Sequence, residues 1–333
     1  MEPVVKALKA CGPRLMGLPN VVGVGCGHKH VRGQNTGKAS LVVLVDKKIP
    51  RDELRANHII PQSMNQCLTD VIEIGEVVAL DRTDRQRPVR PGASIGHYRV
   101  TAGTFGAVVY DVKTGEPLIL SNNHVLANST NGRDGRAKVG DPVLQPGRYD
   151  GGDDDDVVAR LLRFVPIELE LSQPDCKIAG VTQKLLNKMI RRIRRNYEVK
   201  IQRFAAETNL VDAAVARPIS RDLITPDIID LGVPQGTSEA DVGHKVIKSG
   251  RTSGTNSGEV KVVHVTIKIS MGEIGTAVFA DQVLTTRMAQ PGDSGSVVLD
   301  EEKRVCGLLS AGSDTVSVFA RIHNVCESLG VRF

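Results

Sequence analysis

The chain has 333 residues, of which 41% are hydrophobic and 24% charged, with 33 glycines, 16 prolines and only 3% aromatic residues. That length suits one large domain and a smaller one, and the composition excludes collagen-like and disordered classes while fitting a globular protein of short strands and turns. The formal net charge of +5 is local: residues 184–204 carry eight basic side chains against Glu198, so the remainder is slightly acidic and no nucleic-acid partner is expected.

In chain order, residues 4–11 predict a short amphipathic helix, residues 20–26 a strand, residues 33–37 a Gly/Asn turn and residues 40–45 an apolar strand. Pro50 to Arg55 can open a second helix, and residues 69–74 and 77–80 return as strand. Residues 81–91 contain two prolines and have linker composition. Residues 1–85 are therefore expected to form a small α+β domain, regulatory or like a pro-segment. Within it, Gly23-x-Gly25-x-Gly27 lacks a third glycine at the offset of a dinucleotide loop and the helix that follows one, so no cofactor is expected. Cys26, His28 and His30 alternate along one strand face and could hold zinc, but a fourth ligand is not visible and the expectation is no metal.

From residue 92 the pattern becomes repeated short strands at 103–110, 117–120, 142–144, 157–164, 212–216, 245–248, 259–269, 277–285, 296–300, 305–310 and 316–321, with a closing helix at 322–329. Strands at this spacing, separated by glycine-rich turns, predict a mostly β barrel or sandwich over residues 86–333. One block departs from it. Leu186, Ile190, Ile193, Tyr197 and Ile201 recur at three- and four-residue steps, predicting a helical insertion over about 183–204. Its basic outer face, residues 184–203, could meet an acidic partner. The acidic run Asp150 to Asp156 lacks the alternation of a calcium loop and is expected to be a solvated turn.

Six scattered cysteines without a C-x-x-C pair point to a reduced, cytoplasmic protein. No stretch approaches the ~20 apolar residues of a membrane span, so no membrane partner is expected.

Three motifs carry chemistry. Gln290-Pro291-Gly292-Asp293-Ser294-Gly295-Ser296 sets a serine between glycines on a tight turn before an apolar run, which exposes its hydroxyl and aims backbone N–H groups beside it. Ser121-Asn122-Asn123-His124-Val125-Leu126 follows an apolar strand and supplies a base. Asn209-Leu210-Val211-Asp212-Ala213-Ala214-Val215-Ala216 supplies a carboxylate that can fix the tautomer of that base and stabilise its charged form.

The order His, Asp, Ser and these contexts resemble the chymotrypsin/trypsin-like serine peptidases over about residues 92–333, in a bacterial trypsin-like branch distantly similar to plant narrow-leaf-type proteins. Further likeness lies in Gly103-Thr104-Phe105-Gly106-Ala107-Val108-Val109, Gly250-Arg251-Thr252-Ser253-Gly254, Gly307-Leu308-Leu309-Ser310-Ala311-Gly312 and Val318-Phe319-Ala320-Arg321-Ile322, and in the N-terminal Asn20-Val21-Val22-Gly23-Val24-Gly25. The resemblance implies a chymotrypsin-like fold of two six-stranded β-barrels. It also implies His124 as general base and then acid, Asp212 as its orienting partner, Ser294 as nucleophile, and the N–H groups of Gly292 and Ser294 as oxyanion hole. Ser310 and Gly312 would bind substrate main chain. Met288 would fall near the base of the primary pocket and Ser317 on its wall, favouring small or medium apolar side chains of a protein or peptide substrate. The alternative is a peptidase-fold binding or regulatory module of low turnover. Relatives activated by cleavage pair the acid before the serine with a new N-terminus. Asp293 has no such cut site upstream, because Arg87 and Arg90 both precede proline.

Overall fold

The computed structural model describes residues 1–31, 33–75, 81–100, 102–172, 176–204 and 208–333. The chain divides into two compact units, Met1–Leu80 and Asp81–Phe333.

In the first unit, α1 (Glu2–Met16) starts with an acid and a proline and ends near Arg14, as the helix dipole and the missing proline N–H favour. It is longer than the 4–11 predicted because Val4, Ala7, Cys11 and Leu15 keep the helical period and are all buried. β1 (Val21–Val31), β2 (Gln34–Val45), β3 (Ser63–Met64) and β4 (Cys67–Glu73) form one sheet in the order β1-β2-β4-β3. β2 pairs antiparallel with β1 and parallel with β4. Leu41, Val43 and Val45 alternate along β2 and pack with Val4, Ala7 and Leu15 into the core of this unit. The helix expected from Pro50 is instead a single 3-10 turn at Ala56–His58. Two prolines, Pro50 and Pro61, bound a segment with too few apolar residues at helical steps. The strand expected at 77–80 lies outside the described residues.

Residues 81–91 are not a linker. They open the second unit, where Val89 is fully buried and donates its N–H to the Leu223 carbonyl. Arg82 donates to Ser249 at 2.6 Å and pairs with Asp230. The prolines that suggested a linker stand in bends and turns packed onto the second unit, Pro88 exposed and Pro91 buried. The division therefore falls five residues earlier than the boundary expected at residue 85.

The second unit begins with β5 (Ser94–His97), β6 (Gly103–Thr104), β7 (Ala107–Asp111), β8 (Pro117–Ser121), the short helix α2 (Asn123–Leu126), β9 (Pro142–Leu144) and β10 (Val157–Phe164). After β11 (Leu171–Ser172), α3 (Lys177–Ile193) and β12 (Arg203–Phe204) comes β13 (Ala214–Pro218). The remainder is β14 (Lys245–Gly250), β15 (Gly254–Ser270), β16 (Thr276–Thr286), β17 (Val297–Leu299), β18 (Val305–Gly312), β19 (Val316–Arg321), α4 (Ile322–Leu329) and β20 (Val331–Arg332).

β14-β15-β16-β19-β18-β17 close into a six-stranded barrel. The first half is an eight-stranded sheet, β20-β7-β8-β13-β10-β9-β5-β6, wider than the six strands implied because β6 and the C-terminal β20 extend its edges. Continuous apolar runs in β8 and β13 follow from burial on both faces. Ile119, Ala214 and Ala216 face one core with Ile95, Phe105 and Val158. Their neighbours Leu118, Leu120 and Val215 face another, shared with Val297, Leu308 and the α4 residues Ile322, Val325 and Leu329. This second core joins the halves and holds the ends of β8, β13 and β18 together.

The insertion runs helical over Lys177–Ile193, not 183–204. Its turn at Arg194-Arg195-Asn196 stacks like charges and a poor helix former, and the chain then doubles back. The returning segment is held by α3 itself: the N–H of Val199 donates to Asn187 and that of Ile201 to Gln183, both at 2.7 Å.

Candidate active site

β8 delivers His124 to the end of the first sheet through two buried asparagines. Asn122 donates to the Asp212 carbonyl at 2.7 Å, and Asn123 donates to the carbonyls of Thr130 and Val165 at 3.0 and 2.6 Å. The Asn-Asn pair before His124 is thus an anchor for the turn of α2. Asp212, just before β13, is 2% exposed. Its carboxylate accepts the His124 N–H at 3.2 Å and meets His124 Nδ1 at 2.5 Å. A carboxylate at Nδ1 places the ring proton there and leaves Nε2 as the acceptor. Burial opposes the imidazolium, but the Asp212 charge and hydrogen bond outweigh it, and the His124 pKa is raised above its ordinary 6.5.

Ser294 sits on a loop gripped from two sides. On one, Thr104 donates its N–H to the Ser294 carbonyl at 2.8 Å and its hydroxyl to the Gly292 carbonyl at 2.9 Å. Gly295 has φ +95°, in the left-handed region, and a Cβ there would run into Thr104 and Ser121. On the other side, the side chain of Asp293 is fully buried against the turn after β14. It accepts the N–H groups of Thr252, Ser253 and Gln290, the Ser253 hydroxyl at 2.5 Å, and Lys248 Nζ at 2.8 Å. Lys248 is equally buried and also donates to Ser253 and to the Gly254 carbonyl. Desolvation lowers the Lys248 pKa, against the pull of Asp293. Desolvation pushes the Asp293 carboxyl up, but the Lys248 and Ser253 hydrogen bonds hold it below the carboxylate value. A Cβ on Gly250 would collide with the Asp293 carboxylate, which explains the glycine that opens Gly250-Arg251-Thr252-Ser253-Gly254.

His124 and Ser294 line one cavity of about 460 Å³, together with Ser310, Gly312 and the tip of the β15–β16 hairpin from Ile267 to Met271. The Ser294 hydroxyl donates to the Ser310 carbonyl at 3.3 Å, and it makes no hydrogen bond with His124 among the described residues. Neither the Gly292 nor the Ser294 N–H has an acceptor among the described residues. The Pro291 carbonyl accepts from Thr252 at 2.8 Å, so the Gly292 N–H of the same peptide plane points to the opposite side.

A smaller cavity of about 170 Å³ opens beside Ser294, lined by Arg287, Ala289, Leu309, Ala311, Gly312 and Asp314 among others. Ser310 and Gly312 are thus brought to Ser294, whereas Met288 and Ser317 line neither cavity. Met288 turns into the barrel core with Val246, Val260 and Phe319, and its N–H donates to the Ser317 hydroxyl at 3.0 Å. Arg287 and Asp314, charged residues on loops, carry no sequence signal for this position. Lys248 did carry one: it shares the buried face of β14 with Val246, two residues before it.

The remaining candidates are held by other partners. Asp150 pairs with Arg251, Asp154 with Arg148 and Asp156 with Arg85, while Asp153 caps the short turn between them. His30 meets Asp70, and Cys26 packs in the core of the first unit. Among the described residues no cluster of His, Cys, Asp and Glu could hold a metal ion. No described helix is long and apolar enough to cross a membrane.

The closed barrel, the sheet packed beside it and the loop carrying Ser294 at their junction make the fold chymotrypsin-like and mostly β. Solved structures similar to the chain include protease A of Thermobifida fusca (15% identity over 73% of this chain and 96% of that one, TM-score 0.45). A Nocardiopsis protease (17%, 73% and 97%, 0.45) and a Cellulomonas bogoriensis chymotrypsin (16%, 74% and 97%, 0.43) are similar in the same way. No family model and no curated protein matches the sequence.

Proposed function

We propose that the chain is a serine endopeptidase that cleaves protein or peptide amide bonds through an acyl-enzyme. The observation that carries this reading is the short His124–Asp212 hydrogen bond, with Ser294 on the wall of the same cavity. Ser294 Oγ leaves the Ser310 carbonyl and turns to His124 Nε2, which takes its proton as Oγ attacks the substrate carbonyl carbon. The developing oxyanion meets the unoccupied N–H groups of Gly292 and Ser294. His124 then gives the proton to the departing amine, and water repeats the sequence to release the acid. Ser310 and Gly312 pair with substrate main chain, and Ala289, Leu309 and Ala311 on the wall of the 170 Å³ cavity suit a small or medium apolar side chain, beside the charged Arg287 and Asp314. Incubation with a peptide library, read by mass spectrometry, should show cleavage by the native chain and none by Ser294→Ala. Cleavage by both would end this assignment.

A second reading, a low-turnover binding module, is favoured by one observation: the hydroxyl of Ser294 rests on Ser310 and not on the base. Under it the library would be bound and recovered intact.

A further inference from the structure

α3 presents two adjoining open faces. At 3.6 residues per turn, Ile178, Val181, Leu185, Met189 and Ile193 fall within an arc of about 120°. Their exposures are 77%, 57%, 58%, 64% and 82%. An isolated exposed leucine needs no explanation, but a continuous stripe of them does. Beside the stripe lie Lys184, Lys188 and Arg191, while Arg192 falls within its arc between Val181 and Leu185; with Gln183, Asn187 and Glu198 these four cations line an open groove along the helix. None of these four cations makes an ion pair among the described residues, and the helix contains no acidic residue. The third face is occupied: Gln183 and Asn187 hold the returning chain. That chain carries Tyr197 and Phe204, exposed by 64% and 74%, in a protein with few aromatic residues.

We propose that α3 docks in the plane of an anionic lipid bilayer, its apolar stripe at the acyl boundary and its cations among the headgroups. A stripe flanked by basic side chains, with low mean hydropathy and exposed aromatics nearby, fits such an interface. That no described helix is long and apolar enough to cross a membrane does not bear on this, because a surface helix need not cross. The charge pattern disfavours the other occupants. A second copy would bring the same cations against these, and a nucleic-acid backbone would pair the lysines and arginines yet leave the stripe in water. Anionic lipid satisfies both faces at once.

The test is co-sedimentation of the full chain with vesicles of phosphatidylcholine alone and of phosphatidylcholine mixed with phosphatidylglycerol. Binding is expected only to the mixed vesicles, and it should fall as salt is raised. Leu185→Glu combined with Met189→Glu, at exposed positions that leave the fold intact, should abolish it. Lys184→Gln combined with Lys188→Gln should weaken it by about thirtyfold. Failure to sediment with the mixed vesicles would overturn the proposal, as would binding that survives Leu185→Glu with Met189→Glu. A concentration-dependent dimer lost in that same variant, with no vesicle binding, would assign the stripe to a second copy. Tight binding of duplex DNA that persists in it, again without vesicle binding, would assign the cations to nucleic acid.

Discussion

Lys248 and Lys184 are the same residue type under opposite regimes. Lys248 is fully buried beside the loop that carries Ser294, with an aspartate, a hydroxyl and a carbonyl as acceptors, whereas Lys184 projects from α3 with no ion-pair partner among the described residues. A buried cation must be fully paired or it destabilises the fold, so Lys248 and Asp293 fix each other and, through them, the backbone from Gln290 to Ser296. The contrast separates two kinds of construction: a loop carrying Ser294 that is over-determined by its neighbours, and a surface helix whose apolar and charged faces have no partner among the described residues.

The largest effects are expected at the site itself. Ser294→Ala or His124→Ala should each lower kcat about a million-fold, and the double substitution little further, because the two act as a unit. Steady-state kinetics on any cleaved peptide checks this. Asp212→Asn should cost about ten-thousand-fold by releasing the tautomer of His124.

Next in size is the buried pair. Lys248→Met leaves the Asp293 carboxylate unpaired and should destabilise the second unit by about 3–5 kcal/mol, read by urea unfolding. Adding Asp293→Asn removes the stranded charge and should recover most of that stability. It should not recover reactivity of Ser294 if the pair positions the loop. Gly250→Ala, which drives a methyl into the Asp293 carboxylate, should mimic the single Lys248 substitution more weakly.

The smallest effect is a shift in pH. His124 must be neutral to accept the serine proton, and its pKa is raised by Asp212 after burial has opposed the charge. Activity should therefore rise with pH through a midpoint above 6.5, and Asp212→Asn should move that midpoint down. The sign for stability is the reverse. A raised histidine pKa contributes stability that is complete below 6.5 and fades as pH climbs through the raised value.

Much of this was legible in the sequence, unevenly. Most strands of the second unit and the closing helix at 322–329 stand where alternation and glycine turns put them, but β5, β11, β12 and β20 carry too short a pattern to read, and 103–110 divides into β6 and β7. His124, Asp212 and Ser294 were visible through their flanking strands. Residues 81–91 do not read correctly from the sequence because prolines punctuate packed turns as well as linkers. The bounds of α3 were misplaced because Tyr197 and Ile201 continue the helical period by coincidence after the chain has turned back. The place of Met288 at a pocket base follows from the resemblance alone, and which face of a strand end lines a pocket depends on its neighbours across the barrel. The Arg287–Asp314 rim could not be read, since loop charges have no periodicity. Lys248 could have been: a lysine in phase with Val246 on an otherwise buried strand face demands a counter-charge, and Asp293 was already marked as an acid without a partner.

On the proposed function, Ser294 activated by His124 is a nucleophile in the chain as it stands. Titration with a fluorophosphonate probe followed by intact-mass analysis tests it most directly. One probe should add per chain, at Ser294, with a rate that rises with pH through a midpoint above 6.5 and with no labelling of Ser294→Ala or His124→Ala. Equal labelling of native chain and Ser294→Ala, or none of the native chain at any pH, would contradict it.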